Sequence, residues 1–121
     1  MLEPSYDSYS AVVAMAGAVP KYVTLRPPHY DLDLDALCKA ITPKTRLLLI
    51  NTPHNPTGGL LGRKDLEAIA AILRKHPQVW VYADEIYSRL CYAGEFFSIA
   101  QLPGMYERTI ISDGASKTWA M

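Results

Sequence analysis

The tightest constraint on this chain is an alternation. Short β-rich runs at 21–26 (KYVTLR), 45–51 (TRLLLIN), 79–83 (VWVYA) and 108–112 (RTIIS) are parted by helical stretches. A parallel strand can be reached only by a crossover of a dozen or more residues, usually a helix, so this order predicts βαβ units and a mostly parallel sheet. The 45–51 run is continuously apolar, as in a strand covered on both faces.

The segments between the runs fit that reading. Residues 6–17 predict a helix ending near Gly17, and Pro27-Pro28 forces a loop after the first run. Residues 33–41 predict a short helix with Leu34, Leu37, Cys38 and Ile41 on one face. Residues 63–76 predict an amphipathic helix that turns Leu66, Ile69, Ala70 and Leu73 inward and stops at Pro77. A helical turn is expected at 98–102. Residues 51–59 (NTPHNPTGG) are so rich in Pro, Gly and Asn that they predict a structured loop. The fold class is therefore α/β: a mostly parallel sheet flanked by helices, with no internal repeat and no linker to a second domain.

At 121 residues the chain amounts to one small domain, and 50% hydrophobic residues are enough for a core. Lys+Arg and Asp+Glu are 12 each, and this neutral balance argues against nucleic acid or an anionic membrane as partner. The opening Met-Leu-Glu-Pro-Ser-Tyr does not read as a secretory signal, and no run approaches the roughly 20 apolar residues of a membrane span. Cys38 and Cys91 form no CxxC pair and are expected to be reduced, buried or half-buried thiols. The cytoplasm is the expected compartment, and no metal site is expected.

The residues at the strand ends suggest the chemistry. Asn55, Asp84 and Lys117 each come just after a β-rich run. In open α/β sheets, ligands bind outside the carboxyl ends of the strands, so three distinct groups at three such ends can converge on one site. A lysine amine can attack an aldehyde, and the small residues of Gly114-Ala115-Ser116 before Lys117 allow a ligand close to the backbone. A carboxylate such as Asp84, at the end of an apolar strand, is costly to bury without a partner. A protonated ring nitrogen would be one partner, and the amide N–H groups of a following helix would be another. The Asn55 amide can donate to a phenolate oxygen or form an Asx-turn, and Tyr87 can add its hydroxyl to the same oxygen or pack as a half-buried aromatic.

Three segments in this order resemble the class I/II aminotransferases of the aspartate aminotransferase fold: Asn55-Pro56-Thr57-Gly58, Asp84-Glu85-Ile86-Tyr87, and Ser116-Lys117-Thr118-Trp119-Ala120-Met121. The opening Glu3-Pro4-Ser5-Tyr6-Asp7-Ser8-Tyr9 fits the segment that precedes them in this family. Residues 98–109 are similar to the branch that contains kynurenine and aspartate aminotransferases.

The resemblance implies pyridoxal 5'-phosphate as cofactor, amino acid and 2-oxo acid as substrates, and a homodimer for the parent protein. Lys117 would hold the cofactor as a Schiff base and carry the proton at the substrate α-carbon. Asp84 would pair with the ring nitrogen, Asn55 and Tyr87 would bond the phenolic oxygen, and Tyr6 would stack on the ring. Many relatives place a hydroxyl three residues before the lysine. Gly114 stands there in this chain, and Ser116 is the substitute. His54 stands where Asn or Gly is common and is expected to be a loop residue without a catalytic role.

On this resemblance residues 1–121 are part of the cofactor-binding large domain. The phosphate loop is expected before Met1. A phosphate-gripping Arg and the small domain with the carboxylate-binding Arg are expected after Met121. Two other readings stay open: a C–S β-lyase on the same scaffold, and a non-catalytic fragment with exposed apolar faces at Leu47–Ile50 and Val79–Val81.

Overall fold

The computed structural model describes residues 1–92 and 94–121. Its centre is three parallel strands, β3 (Leu47–Asn51), β4 (Trp80–Asp84) and β5 (Thr109–Ser112), in the order β3-β4-β5. A second parallel pair joins β1 (Leu2–Glu3) to β2 (Val23–Thr24), and β1 lies beside β3. The helices are α1 (Asp7–Met15), α2 (Leu34–Ala40), α3 (Arg63–Arg74) and the single-turn α4 (Ala115–Thr118), with 3₁₀ turns at Ile99–Gln101 and Tyr106–Arg108.

The helix from β3 to β4 forms because its apolar residues recur at helical spacing. Leu66, Ile69, Ala70 and Leu73 are all fully buried, as the period predicts. They share one core with Leu48, Ile50, Val81 and Ala83, which the register places on one face of the sheet. Each Leu or Ile buried this way contributes about 1.5–3 kcal/mol. Asp65 accepts from the amide of Gly62 and caps the start of α3. At the other end Arg108 donates to the carbonyls of Leu73, His76 and Val79. That guanidinium adds donors to carbonyls at and beyond the end of α3 and ties that end to the start of β5.

The structure departs from the sequence reading in several places. The strand at 45–51 is covered on both faces from Leu48 to Asn51 but open at its start: Leu47 is 44% exposed, and its register partner Trp80 is 48% exposed. Leu48, Leu49, Ile50, Val79 and Val81 are buried, so the apolar runs are open only at Leu47 and Trp80. Cys38 is exposed, because Leu37 is the residue of α2 that faces the core, and a neighbour one step along a helix points elsewhere. Cys91 is half-buried, and both thiols are free. Leu34 also lies at the surface of α2. The Ala115–Thr118 stretch after Gly114 forms the one-turn helix α4. No helix among the described residues is long and apolar enough to cross a membrane.

Candidate active site

The parallel register aligns Asn51 of β3, Asp84 of β4 and Ser112 of β5 in one row. The chain leaves all three strands on the same rim. The loop after β3 carries Asn55, the turn after β4 carries Tyr87, and α4 after β5 carries Ser116 and Lys117. Helix α1 brings Tyr6 and Tyr9 to the same rim. One cavity of about 360 Å³ is lined by Tyr6, Tyr9, Asn51, Asn55, Asp84, Ile86, Tyr87, Ser116 and Lys117. Small-molecule sites commonly span about 300–1,000 Å³. All six residues that the sequence singled out meet there.

Asp84 is the best-fastened of them. Its Oδ2 accepts from the hydroxyl of Tyr9 at 2.5 Å, and its Oδ1 accepts from the amide of Ile86 at 3.2 Å. The second bond reaches two residues ahead, so the carboxylate makes an Asx-type turn, and residues 86–89 after it form a turn in place of a helix to cap. Burial raises the Tyr9 phenol pKa far above its ordinary value, and the bond to Asp84 adds to the rise. Tyr9 therefore stays protonated and remains a donor throughout the working pH range.

Asn51 couples two parts of the site. Its Nδ2 donates to the Asp84 carbonyl at 3.0 Å, and its Oδ1 accepts from the Asn55 amide at 2.8 Å. The loop before Asn55 is braced by His54, whose Nδ1 lies 2.7 Å from the Thr57 hydroxyl. His54 is buried, which lowers its pKa, and it does not line the cavity. The sequence reading missed Tyr9 and Asn51. The available signals were the spacing of Tyr9 one turn after Tyr6 and the polar end of the apolar 45–51 run.

Tyr6 is 46% exposed and meets the ring of Tyr9 edge-on at 5.5 Å. The Lys117 amine stands 6.0 Å from the Tyr87 ring centroid, at the outer range of a cation–π contact. Lys117 and Ser116 are exposed on α4. Directly after Asp84, Glu85 is buried and accepts from the Ser98 hydroxyl at 2.6 Å. Burial raises its pKa, the Ser98 bond opposes the rise, and Asp113 and Asp84 add to it.

The cavity thus offers an anion, an amine, two primary amides, three phenols and a hydroxyl. This donor set suits a flat aromatic ring with a basic nitrogen, an oxygen that accepts hydrogen bonds and a carbonyl carbon open to an amine. Fold and site together define an α/β protein with its ligand site at the carboxyl ends of parallel strands.

The chain belongs to the aminotransferase class I and II family, whose sequence model matches residues 1–121. It is 47% identical over 120 residues to aromatic-amino-acid aminotransferase 2 of Thermococcus litoralis, covering 98% of this chain and 31% of that protein. It is 36% identical over 138 residues to the kynurenine–oxoglutarate transaminase of Dictyostelium discoideum, covering 32% of that protein. Among solved structures it matches the N-succinyldiaminopimelate aminotransferase of Mycobacterium tuberculosis with a TM-score of 0.91 at 47% identity. That match covers 96% of this chain and 31% of the other. The aromatic aminotransferase of Pyrococcus horikoshii gives a TM-score of 0.93 at 43% identity, covering 99% and 32%. The chain therefore spans about a third of the length of these relatives.

Proposed function

We propose that the protein carrying this chain moves an amino group between an amino acid and a 2-oxo acid with pyridoxal 5'-phosphate as cofactor. In this reading residues 1–121 are the central part of the cofactor-binding large domain. The rest of the polypeptide would supply the main phosphate grip and the arginine for the substrate carboxylate, and two copies would assemble as a homodimer. The observation that carries the reading is the common cavity shared by Lys117, Asp84, Asn55, Tyr87, Tyr6 and Ser116.

When bound, the cofactor supplies an electron sink for a carbanion at the substrate α-carbon. The chain's own residues bind, orient and move protons. Lys117 would hold the cofactor covalently and then, as a free amine, take and return the proton at the α-carbon. Asp84 would accept the ring nitrogen's proton in a charged hydrogen bond, with Tyr9 and the Ile86 amide fixing its carboxylate. Asn55 and Tyr87 would donate to the ring oxygen, Tyr6 would cover one ring face, and Ser116 would offer its hydroxyl to the phosphate.

A product assay tests this. The protein is given an amino acid donor, pyridoxal phosphate and an added 2-oxo acid. The proposal expects a new amino acid formed in equal amount to the new 2-oxo acid. Release of pyruvate and ammonia from a cysteine-type donor, without transfer to the added acid, would assign C–S lysis instead.

A further inference from the structure

We infer that Gly114 keeps the site cavity open to its full size by leaving room for the side chain of Ile86. The inference rests on the reading that this cavity takes pyridoxal phosphate.

Gly114 has φ −168° and ψ 153°, an extended backbone that any residue can adopt. The reason for glycine is therefore local space. A Cβ at position 114 would lie 3.1 Å from Ile86 Cδ1. Carbon atoms pack best at about 3.5–4.0 Å, so one of the two must give way. The backbone of Ile86 is poorly placed to move, because its amide is bonded to Asp84 Oδ1 and Asp84 is held by Tyr9. The Cδ1 methyl, at the tip of a flexible side chain, is the part free to shift. Ile86 itself lines the cavity. Position 114 lies outside the cavity lining and Ile86 within it, so a methyl pushed away from position 114, by a few tenths of an ångström, has the cavity to move into.

Gly114 is thus a positioning residue, acting through Ile86. It is also the N-cap of α4, so a larger residue could disturb the one-turn helix that carries Lys117 without involving Ile86 at all. The two explanations separate when Cδ1 is removed, because Val at position 86 keeps the branch at Cβ and lacks that methyl.

The test is a double-mutant cycle on the polypeptide that carries this chain: wild type, Gly114→Ala, Ile86→Val and the pair together. Two quantities are measured: the Kd for pyridoxal phosphate, by absorbance titration, and the thermal unfolding of the cofactor-free protein. Gly114→Ala is expected to raise the Kd about tenfold, roughly 1.4 kcal/mol of lost binding, while the cofactor-free protein unfolds near the wild-type temperature. Adding Ile86→Val should bring the Kd back to within about twofold of Ile86→Val alone.

Wild-type affinity in Gly114→Ala overturns the inference. So does a double variant that binds no better than Gly114→Ala. If Gly114→Ala does not fold, the double variant decides: a folded, binding protein supports the steric account and an unfolded one overturns it. Wild type that binds no pyridoxal phosphate contradicts the proposed function, and the inference falls with it.

Discussion

Asn51→Ala should be among the most damaging single substitutions near the site, although Asn51 belongs to none of the three family motifs. The side chain is 3% exposed and makes two hydrogen bonds, to the Asp84 carbonyl and from the Asn55 amide. Alanine removes both. The Asp84 carbonyl keeps a second donor, the amide of Thr52 at 3.2 Å, so it is not left orphaned. The Asn55 amide loses its acceptor within a partly buried loop. A lost hydrogen bond costs about 1 kcal/mol, and an unsatisfied, partly buried amide costs about 1–2 kcal/mol more. The sum is about 2–3 kcal/mol. Urea unfolding with a slope of roughly 1–3 kcal/mol/M should then show the midpoint fall by about 0.7–3 M. Cofactor retention should fall alongside, because the loop holding Asn55 and the strand end holding Asp84 lose their common brace. A loss below about 0.5 kcal/mol, the size of an ordinary surface substitution, would refute this role for Asn51.

Asp84→Ala should cripple amino transfer far more than it weakens cofactor retention, by 10²-fold or more in order of magnitude; near-normal turnover would remove Asp84 from the ring-nitrogen role. Glu85 has a folded pKa above its ordinary 4.5, so the folded state holds that proton more tightly than the unfolded chain does. Its ionisation therefore costs stability as pH rises above about 4.5 through the folded value, and costs nothing at lower pH. Glu85→Gln, which can still accept from Ser98, should be more stable than wild type at neutral pH, with the advantage vanishing as pH falls toward 4.5; unfolding curves across that range check it. Arg108→Ala should cost about 2 kcal/mol in denaturant unfolding, since three carbonyls lose one guanidinium, and Arg108→Lys should recover only part, because an ammonium lacks the planar fork.

Much of this architecture could be read before any coordinates. The inward face of α3 was legible because four apolar residues recur at helical spacing over a long window. The convergence of Asn55, Asp84 and Lys117 was legible because a parallel sheet sends every strand to the same rim. Short elements were harder. Leu2–Glu3 is too brief to show alternation, and its partner Val23–Thr24 is fixed only by folding. The single turn of α4 is likewise too short to carry a period. Long-range contacts were hidden for a different reason. The bond from Tyr9 to Asp84 spans 75 residues, and that from Asn51 to Asp84 spans 33, so neither has a local signature. Asn51 looked like the end of a strand, and only the register shows that it stands opposite Asp84. The exposure of Leu47 and Trp80 was hidden because an apolar run shows that a strand can be buried, while its neighbours decide which faces are covered.

The account turns on one lysine and one carboxylate lining a shared cavity, and chemical trapping interrogates it most directly. The protein is incubated with pyridoxal phosphate and reduced with borohydride, and its peptides are mapped by mass. The label should fall on Lys117, and Lys117→Ala should abolish it. A label on another lysine, or unchanged labelling in Lys117→Ala, would contradict the account.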